Sequence, residues 1–195
     1  MKKQILFAVI FAISGTLFSG TALAEDEKGW TVLPYQNSDF DPHFTVALAT
    51  GIMDPYVSGD FDAGAINGLV LSLNCPWFQP PTGTIRQVFN YNIYDEDNLE
   101  IKTFEMNPRY FIPVSPSFQV GFGPGVGYVT IAPKNSAEAH VLSFQVGADL
   151  DYRNKNLFAG ISARYMMTQE AKFGGRTHES DVDNLAIQLR VGYNF

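Results

Sequence analysis

The segment Leu185-Ala186-Ile187-Gln188-Leu189-Arg190-Val191-Gly192-Tyr193-Asn194-Phe195 decides the fold. Side chains of an extended strand point alternately to its two faces. Leu185, Ile187, Leu189, Val191, Tyr193 and Phe195 therefore share one face. Ala186, Gln188, Arg190, Gly192 and Asn194 share the other. The strand stops on an aromatic, and the chain opens with an export signal. Together these predict a membrane-spanning β-barrel whose apolar face meets lipid.

Seven upstream segments repeat the pattern. They are residues 43–50, 64–73, 84–94, 99–113, 117–131, 140–152 and 157–167. In the fourth, Phe104, Met106, Tyr110 and Ile112 oppose Thr103, Glu105, Asn107 and Arg109. In the fifth, Phe118, Val120, Phe122, Val126 and Tyr128 oppose a row of glycines, Gly121, Gly123, Gly125 and Gly127. Most segments run 10 to 15 residues, longer than the typical strand of about 5–6. That length suits the ~9–11 residues that cross a bilayer at a tilt. The reading is an all-β chain whose residues 42–195 form an eight-stranded antiparallel up-and-down transmembrane β-barrel. Closure follows because an unpaired backbone edge in hydrocarbon costs several kcal/mol per group.

Residues 1–24 read as a secretory signal: Lys2 and Lys3, an apolar run from Ile5 to Ile13, and Ala22-Leu23-Ala24 for cleavage. Residues 25–41 are then a periplasmic N-terminal segment. Removing 24 residues leaves 171, with 11 basic against 20 acidic side chains and a net charge of −9. This excludes nucleic acid as a partner, since it rewards basic patches. The single Cys75 allows no internal disulfide and is expected to be buried or membrane-facing.

Link lengths test the topology. Ser115-Pro116 and residues 153–156 are short turns, whereas 51–63, 132–139 and 168–183 are longer and more polar. Short periplasmic turns alternate with longer outer loops in bacterial barrels. Two links fit poorly: 95–98 is short for an outer loop, and 75–83 is long for a turn. Trp77 and Phe78 there, with Trp30 and Tyr35 upstream, are expected in the interfacial aromatic belt.

The face opposite the apolar one carries Arg86, Glu105, Arg109, Asp149, Asp151, Arg164 and Arg190. In a narrow lumen these charges would neutralise one another as a polar network. The rival is a soluble eight-stranded barrel of the lipocalin kind, with its apolar face inward. Periodicity alone does not say which face is wet. The glycine row leaves room for long side chains, with Arg109, Arg164 and Arg190 as candidates to fill it. Pro124 lacks a ladder donor, so a bulge or irregular pair is expected there.

Three stretches carry a family resemblance: Asn107-Pro108-Arg109-Tyr110-Phe111-Ile112-Pro113, Val120 to Tyr128, and Val191-Gly192-Tyr193-Asn194-Phe195. They resemble the outer membrane β-barrel family of opacity-type proteins and the N-terminal barrel of outer membrane protein A. The resemblance implies a place in the outer membrane of a Gram-negative cell, among lipids and lipopolysaccharide. It also implies that Tyr193 and Phe195 form the signal read by the outer membrane assembly machinery.

Catalysis finds little support. A serine hydrolase needs a base within reach of its hydroxyl, but His140 and Ser143 are three apart and point to opposite faces of a regular strand. His178 and Ser180 have a closer spacing, in a loop. His43 reads as a polar lumen residue. Three scattered histidines and one cysteine offer no zinc-site spacing, so no metal or cofactor is expected. The expectation is a non-enzymatic surface protein acting through acidic outer loops on lipopolysaccharide, ions or a host ligand. A small pore or hydrophobic-solute channel is the alternative, and a lipid A-modifying enzyme the third.

Overall fold

A computed structural model describes residues 29–56, 62–96, 99–133, 137–170 and 182–195. The expected export signal and the His178/Ser180 pair lie outside the described residues. Eight strands make a closed barrel: β1 (Thr45–Tyr56), β2 (Gly64–Asn74), β3 (Thr84–Glu96), β4 (Leu99–Pro113), β5 (Phe118–Pro133), β6 (Ala139–Asn154), β7 (Leu157–Thr168) and β8 (Asp183–Asn194). Each pairs antiparallel with its sequence neighbours, and β8 closes on β1 from Asp183 opposite Tyr56 to Asn194 opposite Thr45. The first strand runs six residues beyond the predicted Thr50, so half of the expected first outer loop is ladder.

The predicted outward side chains are outward. Leu48, Phe104, Phe122, Leu142, Ile187 and Val191 are all exposed on the closed barrel, while Arg109, Arg164 and Arg190 are buried inside it. The soluble alternative fails on this. Its apolar face would have to be the inner one, and an exposed apolar belt of this extent marks contact with something other than water.

Aromatic pairs bound the belt. Tyr110 and Phe122 (5.8 Å between ring centroids), Phe118 and Tyr152 (5.1 Å), and Tyr193 and Phe195 (4.9 Å) lie toward the end where the first strand begins and the last one stops, the expected periplasmic end. Tyr56 with Tyr165 and Tyr128 with His140 lie toward the outer end. Along β5 the ten steps from Phe118 to Tyr128, at ~3.4 Å each and a tilt of ~45°, span about 24 Å. That matches an outer membrane apolar band of ≈ 25 Å.

Above the outer aromatics the polarity inverts. Lys102, ion-paired to Glu100 at 2.7 Å, and Thr130 and His140 take the outer face there. Inside, Met53, Ile66, Tyr94, Leu99, Ile101, Val129, Ile131, Val141 and Met166 pack into an apolar cap. The strands have left hydrocarbon at this level, so the ordinary rule of a dry inside and a wet outside returns. This cap departs from the expected polar inner face, because the strands extend past the hydrocarbon.

The expected irregularity at Pro124 is present as an interruption. Met106 opposes Val126 and Tyr110 opposes Phe122, but the three positions between leave the ladder. By register Pro108 faces Pro124, so neither side supplies an N–H. Arg109 substitutes: its Nη1 donates to the carbonyls of Gly123 (2.6 Å) and Pro124 (2.7 Å).

The long periplasmic link is explained by a second element. Phe78–Gln79 pairs antiparallel with Thr31–Val32 in a two-stranded ribbon, followed by a 3-10 turn at Pro34–Gln36. The Gln79 amide locks the link by donating to the carbonyls of Cys75 (3.0 Å) and Ile85 (2.8 Å) and accepting from Ile85 N (3.0 Å). Cys75 is fully buried under this link.

Candidate functional site

The lumen is where the sequence placed its charged network, and the structure builds it around one carboxylate. Glu105 projects inward from β4 and has no exposed surface. Its Oε1 accepts from Asn92 Nδ2 (3.1 Å), Thr103 Oγ1 (2.5 Å) and, from across the barrel, Arg164 Nη1. Its Oε2 accepts from Gln145 (3.1 Å), Asn90 (3.3 Å) and Asn107 (3.4 Å). Gln188 on β8 reaches Asn92 at 3.0 Å and ties the far wall into the same network. A buried carboxylate is tolerated only when its lone pairs are met in this way.

A second cluster lies toward the periplasm. Arg109 Nε meets Asp149 at 3.1 Å, and Arg190 Nη2 bridges Asp149 (2.9 Å) and Asp151 (2.7 Å). Arg153, expected in a turn, instead lies on β6 and joins Asp151 at 3.4 Å. Phe158 lies between two cations, with the Arg153 guanidinium 4.8 Å and that of Arg190 5.7 Å from its ring centroid. Both were findable, since Arg153 continues the inward parity of Asp149 and Asp151, and Phe158 that of Ser162 and Arg164.

Arg86 joins the network without an ion pair of its own among the described residues: it is held by Asn74 Oδ1 (2.8 Å), the His43 carbonyl (2.7 Å), Ser72 (3.1 Å) and Thr45 (3.3 Å), and Thr45 also accepts from Arg153, the partner of Asp151. The charge count also changes. With Arg153 included, five guanidinium groups face Glu105, Asp149 and Asp151.

The glycine row is filled by other side chains than predicted. A methyl group on Gly121 would enter the Phe111 ring, and Gly125 gives its space to Asn107. Arg109 instead lies over Gly147, where an added carbon would stand 2.5 Å from Nη2. Arg190 lies beside Gly160. Among the described residues, a cavity of about 10 Å³ lies between Asn107, Asp149, Arg164 and Gln188, room for about one water.

The histidines separate. His43 is exposed at the periplasmic end beside Asp41 (3.4 Å), outside the lumen where it was expected. It has a positive φ of 43°, and its backbone N donates to Asp41. His140 stacks on Tyr128 on the outer surface, whereas Ser143 is buried inside the barrel. Among the described residues, no three His, Cys, Asp or Glu side chains gather to hold a metal ion.

No family model matches the chain, and no curated protein matches it. Among solved structures, Ail, the attachment invasion locus protein of Yersinia pestis, superposes at a TM-score of 0.52. It is 14% identical over 80% of this chain and 100% of its own. Neisserial surface protein A gives 0.53 at 10% identity, over 77% of this chain and 95% of its own. The chain is an eight-stranded barrel of the outer membrane type. Its outward apolar faces and apolar band are those of a barrel that meets lipid. Tyr193 and Phe195 lie on the lipid side, and Phe195 N still bonds the Phe44 carbonyl at 2.8 Å, so the closing aromatics are held against β1.

Proposed function

We propose that this barrel is a non-enzymatic anchor that presents acidic outer loops as its interaction surface. The observation that carries the reading is the filled lumen. Side chains occupy its polar half, and the apolar cap closes its outer half. Interaction then belongs to the outer rim, where Asp54, Asp95, Glu96 and Asp183 at the strand ends and Asp60, Asp62, Asp97, Glu179 and Asp181 in the links between them concentrate negative charge. The names of the two similar structures, an attachment protein and a surface protein, agree with such a role. Lipopolysaccharide is itself anionic, so acidic loops would meet it through bridging divalent cations. The assembly machinery would read Tyr193 and Phe195 during biogenesis.

The test is titration of the micelle-folded protein with lipopolysaccharide, with and without magnesium, beside a variant lacking residues 57–61 and 171–181. Binding that needs both magnesium and the loops supports the reading. Binding indifferent to the loops overturns it. Stable single-channel steps from the native protein in planar bilayers would favour the pore instead, and an altered lipid A mass would favour the enzyme.

A further inference from the structure

The ribbon formed by Thr31–Val32 and Phe78–Gln79 has two unlike faces. Paired residues of antiparallel strands share a face, so Val32 and Phe78 lie on one side and Thr31 and Gln79 on the other. Gln79 points to the barrel wall, where it bonds Cys75 and Ile85. Val32 (72% exposed) and Phe78 (47%) therefore face away from the wall, Trp30 (51%) has the parity of Val32, and Trp77 (49%), just before the strand, is exposed at the ribbon's edge.

Two observations put this ribbon on the flank of the barrel rather than beneath its mouth. Gln87 has the outward parity of Phe89 and Tyr91 yet is buried, because its amide donates to Cys75 Sγ at 3.7 Å under the link. Tyr110, on the lipid side of β4, donates its hydroxyl to the Thr82 carbonyl at 3.0 Å. The link thus covers a polar patch of the lipid-facing wall, and its aromatic side continues the periplasmic belt of Tyr110 and Phe122. Tryptophan prefers this headgroup level, where an apolar ring and a polar N–H are both satisfied.

We propose that the ribbon is an interfacial anchor, seating Val32, Phe78 and the two tryptophans in the headgroup region of the periplasmic leaflet. The proposal rests on the membrane reading of the barrel. It gives the N-terminal segment a lipid partner and explains why the link between β2 and β3 is longer than a turn requires.

The chain contains two tryptophans, and both are here, so intrinsic fluorescence reports on the ribbon alone. The full-length mature protein is folded into phosphatidylcholine vesicles and checked for a gel shift on boiling. Emission is then compared in lipids brominated near the headgroup end or near the middle of the acyl chain, and with aqueous acrylamide. The anchor predicts greater loss with the shallow label than with the deep one, and weak quenching by acrylamide. The Val32→Asp, Phe78→Asp double variant should lose the bromolipid effect while keeping the gel shift. A shifting barrel whose tryptophans respond to acrylamide and to neither bromolipid overturns the anchor and leaves the membrane reading standing. Tryptophans shielded from all three quenchers point to a protein occupant and also overturn it. Loss of the gel shift itself overturns both.

Discussion

Arg164 and Glu105 meet across the barrel from β7 and β4, and neither has solvent to fall back on. Removing one partner strands the other as a buried charge, which costs about 3–5 kcal/mol. Arg164→Ala should lower folding stability by that order, read as a shift of the urea midpoint for folding into vesicles. Arg86→Met should cost less, because its partners are neutral oxygens that keep other bonds: Thr45, for instance, also pairs with Asn194 and Arg153. Strand parity made the inward set legible, down to Arg109, Asp149, Arg164 and Arg190. It did not make the partnerships legible. Which residue reaches which across a lumen depends on strand tilt and stagger, and no one-dimensional pattern records that.

At the level of the strand, alternation alone does not locate the solvent. Phe104 and Met106 are apolar and outward, whereas Leu99 and Ile101, on the same strand but of opposite parity, are apolar and inward. The phase change marks where β4 leaves hydrocarbon. It was visible in the sequence but unread, because the whole strand was assigned one pair of environments. The membrane boundary it defines is testable. Val146→Arg, at the middle of the outward run of β6, should cost about 2–4 kcal/mol, and Thr130→Arg, above the aromatic belt, about 0–1 kcal/mol. Equal costs in the same urea titration would refute the boundary. The N-terminal ribbon escaped the sequence reading for another reason: a two-residue ladder has no period to detect.

For the molecule as a whole, strand number and closure were the readable part. They follow from repeated alternation and from the rule that a sheet in lipid has no free edge. The native protein should run as a heat-modifiable band from the outer membrane fraction, and a soluble periplasmic product would contradict the architecture. What the barrel binds was much less legible, since a loop's affinity depends on chemistry that leaves no periodic trace.

Cys75 extends this to time. It is the chain's one thiol, and it is buried in the link that bonds β3 and the N-terminal segment. A maleimide added during biogenesis should label chains still in transit and spare finished ones. The fraction protected would then chart how quickly each molecule matures. A folded protein that labels as fast as its urea-unfolded form would show that the link is not closed.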